Sequence, residues 1–79
     1  MTDLTQKYNR SLLENLIHEW INGKNGERDR IILSISMFDG VTLEEMQKRL
    51  DKLNYPLSID RIKQVIAERT QQLERHIPV

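Results

Sequence analysis

Apolar residues recur along this chain with the period of a helix. Leu4, Tyr8, Leu12, Leu16 and Trp20 fall every four residues, with Leu13, Ile17 and Ile21 beside them, which predicts one amphipathic helix from about Asp3 to Asn22. The run GKNG ends it, Gly23 and Gly26 supplying the left-handed conformations of a helix terminus and a sharp reversal. A second helix is expected from about Glu27 to Met37. Its density of Ile31, Ile32, Leu33 and Ile35 implies burial on more than one face and makes it the central element of the core. After the turn Phe38-Asp39-Gly40, Thr42 followed by Glu45 is a capping-box pattern that starts a third helix near Leu43. Leu43, Met46, Leu50 and Leu53 form its apolar face, and Glu44/Lys48 and Glu45/Arg49 its outer one. Asn54-Tyr55-Pro56 stops it, since proline disfavours helical geometry in the residue before it. Ser58 then caps a fourth helix with Ile59, Ile62, Ile66 and Leu73 on one side.

The expectation is an all-α, four-helix domain containing a helix-turn-helix. Residues 1–79 form one domain: an N-terminal helix over 1–22, a core helix over 27–37, and the helix-turn-helix over 42–75, its helices at 42–53 and 58–75. The connection DKLNYPL is expected to be a surface loop whose tip lies outside any recognition surface. A 79-residue chain without cysteine depends on one compact core, with no disulfide or cysteine metal site to help it. No apolar run is long enough to span a bilayer, and MTDLTQKYNR has neither a basic leader nor a hydrophobic stretch, so an intracellular, cytoplasmic protein is expected.

Charge and chemistry narrow the function further. Twelve basic side chains balance twelve acidic ones, and neither half is a basic arm: residues 1–41 carry five Lys/Arg against six Asp/Glu, and 42–79 seven against six. That balance argues against strong nonspecific attraction to a phosphate backbone. His18 and His76 lie in no metal-ligand spacing, and the glycines match neither the dinucleotide fingerprint nor the P-loop. The chain therefore reads as a non-enzyme with no metal and no cofactor.

The stretch ERDRIILSISMFDGVTLEEMQKRL followed by SIDRIKQVIAERTQQL resembles region 4 of the sigma-70 family of RNA polymerase sigma factors, a helix-turn-helix that reads a promoter element. Glu27-Arg28, Ile31-Ile32-Leu33, Phe38-Asp39-Gly40, Thr42-Leu43-Glu44-Glu45, Ser58, Asp60 to Gln64 and Leu73 carry the likeness, which covers about residues 12–75. It implies double-stranded DNA as partner, with RNA polymerase or another regulator as a second. Two departures stand out. DKLNYPL lengthens a turn that the family keeps tight, and Ile59 stands where the family commonly has a base-reading arginine. Both point to a small sigma-like regulator rather than a sigma factor proper.

Chemically, the fourth helix offers Ser58, Asp60, Arg61, Lys63 and Gln64 away from Ile59, Ile62 and Ile66. Gln64 can bond an adenine edge, Arg61 and Lys63 phosphate or guanine, and Asp60 cytosine, while Thr42 can donate to a phosphate from the start of the third helix. The alternative is a solvated face on a protein-protein interaction module, an adaptor or regulator of the transcription machinery without direct DNA binding. A structural subunit that self-associates is a third reading. Most of the Leu4 to Trp20 stripe is expected to be the core face that covers the helix-turn-helix, but Leu4 and Tyr8 extend a turn beyond it and offer a homodimer surface. Trp20 is a core anchor if buried and an interface anchor if half exposed.

Overall fold

A computed structural model describes residues 7–77, and these form four α-helices and no strand: α1 (Arg10–Trp20), α2 (Gly26–Ser34), α3 (Leu43–Lys52) and α4 (Ile59–His76). No described helix is long and apolar enough to cross a membrane. α1 begins later than the apolar stripe predicts. Asn9 is extended, and its side chain accepts from the Leu12 N–H at 2.8 Å, so the cap sits one residue after Tyr8. Tyr8 packs on the core from outside the helix, and Leu4 lies outside the described residues.

The core has two parts, and α2 stands between them. Leu13, Leu16, Ile17 and Ile21 meet Leu33 and Leu73 in the first. Ile32, Ile35, Met46, Leu50, Ile62 and Val65 form the second. Ile32 and Leu33 are neighbours in sequence, roughly 100° apart around the helix, and each is fully buried in a different part. α2 then widens into a π turn over Ile35–Asp39, which sends Ile35 into the second part while Met37 and Phe38 pack against the first. The Arg10 guanidinium lies 4.7 Å over the Phe38 ring and ties the start of α1 to this turn.

The α1–α2 reversal uses its glycines unequally. Gly23 is left-handed (φ +95°), as the sequence suggests. Gly26 is not: it opens α2, where a Cβ would stand 3.2 Å from the Ile21 carbonyl oxygen, so it permits close approach rather than a left-handed bend. Helix ends leave carbonyls without backbone partners. Here four consecutive ones are met by side chains. Asn22 donates to the Glu19 carbonyl at 2.7 Å, Gln72 to Trp20 at 2.8 Å, Arg30 to Ile21 at 2.8 Å and Arg69 to Asn22 at 3.4 Å. Beside them Asp29, only 3% exposed, accepts from Arg69 at 2.7 Å and from Arg28 at 3.0 Å.

α3 starts as its capping pattern predicts, but only half of the box closes. The Thr42 hydroxyl accepts from the Glu45 N–H at 3.1 Å, while the Glu45 carboxylate sits 3.6 Å from Arg49 instead of reaching back. The end of α3 differs more. Asn54 is left-handed (φ 67°), its N–H donates to the Asp51 carbonyl at 3.1 Å, and the Tyr55 N–H donates to Leu50 at 2.8 Å. This is a Schellman motif, whose last residue habitually packs on the helix it terminates. Tyr55 accordingly joins Leu50 against the second core part, and Leu53, expected on the apolar face, is left 50% exposed. Leu57 packs there too, with its carbonyl held by Gln47 at 2.9 Å. Only Pro56 of this trio is exposed, so the connection is partly core rather than a free surface loop. Trp20, at the end of α1, is 38% exposed rather than a core anchor, with one ring face stacked on His76 at 3.8 Å.

Candidate nucleic-acid interface

Of the residues named from sequence, all but Thr42 lie at the start of α4. Ser58 is extended, and its hydroxyl accepts from the Arg61 N–H at 3.1 Å, which fixes where the helix begins. Ile62 and Val65 are buried beneath it and set its rotation, so that Asp60, Lys63 and Gln64 are exposed and Arg61 is half-buried. At roughly 100° per residue, Gln64 and Asp60 point most directly outward. Lys63 and Arg61 then fall on opposite flanks of that line. A helix seated in a major groove presents this order, with central positions facing base edges and flanking cations facing the two phosphate backbones.

Several groups are already engaged. Gln64 donates to Glu68 at 3.0 Å, one turn along. The hydroxyls of Ser58 and Thr42 each serve a backbone N–H, which leaves them able to donate to a phosphate. Gln47 holds Leu57 against the middle of α3, and Thr42 lies five residues, about 7.5 Å of helix rise, further toward that helix's start. Thr42 thus stands apart from the α4 group. Of the cations that could extend a basic patch, Arg49 is bonded to Asp39 at 2.9 Å with Glu45 nearby, and Arg69 shares Asp29 with Arg28. Each already has a carboxylate partner. Lys48 is exposed on α3.

Two groupings escape a reading that looks only for exposed polar residues. One is the Asp29–Arg69 pair, and its signal is present in the pattern. Asp29 precedes Ile32 and Leu33 by three and four positions, and Arg69 precedes Leu73 by four, so opposite charges sit on two apolar stripes. The other is Tyr55 with Glu27 and Arg30. Burial, then the Glu27 charge and a hydrogen bond to it, push the Tyr55 phenol above its ordinary value, with Arg30 acting the other way. Nothing in the sequence joins residues so far apart.

No family model matches the chain, and neither a curated protein nor a solved structure does.

Proposed function

We propose that this chain is a small DNA-binding regulator of transcription, with α3 and α4 acting as a helix-turn-helix of the sigma region 4 type and α4 entering the major groove. The observation that carries the reading is the arrangement on α4: Asp60 and Gln64 outward, Lys63 and Arg61 on either flank, Ile62 and Val65 buried below. Asp60 and Gln64 meet base edges, Arg61 and Lys63 meet phosphates, and Ser58 and Thr42 donate through hydroxyl or backbone groups at the two helix starts.

With two flanking cations as the phosphate contacts, the salt dependence is modest. The slope of log K against log salt is about −1.8, so binding weakens about 12-fold between 50 and 200 mM salt. Fluorescence anisotropy with duplexes selected from a randomised pool, repeated at several salt concentrations, tests this. Absence of salt-dependent binding to any selected duplex overturns it.

A second reading has its own support, an interaction module for polymerase or another regulator. The ion pairs that occupy Arg49 and Arg69, within a chain of zero net charge, leave little long-range attraction for nucleic acid. Binding to a protein of the transcription machinery with a flat salt dependence, and none to DNA, selects it.

A further inference from the structure

A groove of about 420 Å³ opens between α1 and α2, lined by His18, Glu27, Arg30, Ile31, Ser34 and Ile35. Its size falls within the range of roughly 300–1,000 Å³ typical of small-molecule sites. Its floor is apolar, formed by the half-buried Ile31 with Ile35. Elsewhere in the domain three half-buried arginines are paired. Arg28 and Arg69 share Asp29, and Arg49 has Asp39. Arg30 is half-buried as well, yet among the described residues it makes no ion pair: one Nη1–H donates to the Ile21 carbonyl, a neutral acceptor. A guanidinium carries five N–H donors, so most of this one remains available. The other charged group of the rim, Glu27, is exposed and lies close enough to Tyr55 to push its phenol above the ordinary value. Arg30 thus offers unpaired donors beside an apolar floor of Ile31 and Ile35.

We propose that this groove is a binding site for a small monocarboxylate with an apolar chain or ring. The carboxylate accepts from Arg30, with the His18 ring N–H and the Ser34 hydroxyl as further donors, and the apolar part lies on Ile31 and Ile35. The site stands independently of the DNA reading. It also lies near it: the Glu27 charge acts on Tyr55, the Tyr55 N–H closes the end of α3, and Leu57 and Ser58 follow at the start of α4. An occupant beside Glu27 therefore bears on how the two helices are joined.

Methyl-resolved NMR of the full chain, titrated with sodium octanoate below its micelle concentration, tests the site. Octanol and octylamine serve as uncharged and cationic controls. The expected result is saturable shifts at the Ile31 and Ile35 methyls with octanoate, and binding roughly 10- to 100-fold weaker for Arg30→Gln, the loss of a charge-assisted hydrogen bond. Because Arg30 also serves the Ile21 carbonyl, Ser34→Phe provides a second variant that fills the groove without touching that bond; it should abolish the shifts while the fold is kept. Equal binding of octanol, preferred binding of octylamine, octanoate affinity unchanged in Arg30→Gln, or no saturable shift overturns the proposal. So do shifts that appear with protein concentration alone and with slowed diffusion, which assign the groove to a second copy of the chain.

Discussion

Replacing Asp29 by alanine should remove a large share of this domain's stability. The carboxylate is 3% exposed and bonded to two guanidiniums, and its removal leaves the side chains of Arg28 and Arg69, 13% and 21% exposed, without an anion. Breaking a buried pair in this way costs about 3–5 kcal/mol. Water reaches the stranded Arg69 in part, which favours the lower end, about 3 kcal/mol. At about 0.05–0.15 kcal/mol per residue, the 79-residue chain holds about 4–12 kcal/mol in all. The loss is thus a quarter or more of the total. Asp29→Leu combined with Arg69→Met should be markedly more stable than Asp29→Ala, since well-packed apolar side chains often replace a buried pair without loss. Urea unfolding followed by circular dichroism, on both variants and on Arg69→Ala, measures the coupling. If Asp29→Ala unfolds within about 0.5 kcal/mol of the parent, the range of an ordinary surface substitution, the pair is not holding α2 to α4 and the reasoning fails.

Four further outcomes are expected. Ile32→Ala and Leu33→Ala should each lose about 2–5 kcal/mol, because both side chains are fully buried; urea midpoints equal to the parent's would contradict the central place of α2. The raised Tyr55 pKa stabilises the fold below the phenol's ordinary value of 10.0, and that contribution fades as pH rises through the folded-state value. Tyr55→Phe should therefore flatten the alkaline decline in melting temperature. Deleting Tyr55 to Leu57 should destabilise the domain rather than be tolerated, as thermal melts will show, since Tyr55 and Leu57 pack on the second core part. On the DNA reading, Gln64→Ala should lose about 1–3 kcal/mol of discrimination at one base position, while Lys63→Ala weakens all duplexes alike and reduces the salt slope by about one unit; anisotropy separates the two.

Much of the architecture is legible because the helical period is strong where the core is apolar. Ile31 to Ile35 mark α2, Thr42 and Ser58 mark two helix starts, and both hydroxyls cap as their positions suggest. Errors fall at termini, where single residues decide the outcome. Asn9 caps α1 after Tyr8, which a four-residue apolar repeat running through both cannot reveal. Asn54 turns α3 back early, so Tyr55 rather than Leu53 enters the core, although Asn-Tyr-Pro after an apolar residue carries the signal for such a motif. The outward face of α4 follows from the spacing of Ile59, Ile62 and Ile66, although Val65 rather than Ile59 is the residue buried beside Ile62. The electrostatic setting of that face does not, because the partners of Arg49 and Arg69 lie 10 and 40 residues away in sequence.

Two of the four side chains that meet the carbonyls at the end of α1 come late in the chain. Arg69 and Gln72 are 47 and 52 residues beyond the carbonyls they serve. During synthesis, which proceeds at about 5–20 residues per second, α1 emerges first and waits several seconds at the slower rate before those partners exist. In that interval the Trp20 and Asn22 carbonyls and the apolar surface destined for Leu73 face solvent or whatever binds nascent chains. Closure of the first core part is thereby deferred to α4, and a ribosome stalled before Arg69 would hold a chain whose α1 can dock on α2 alone.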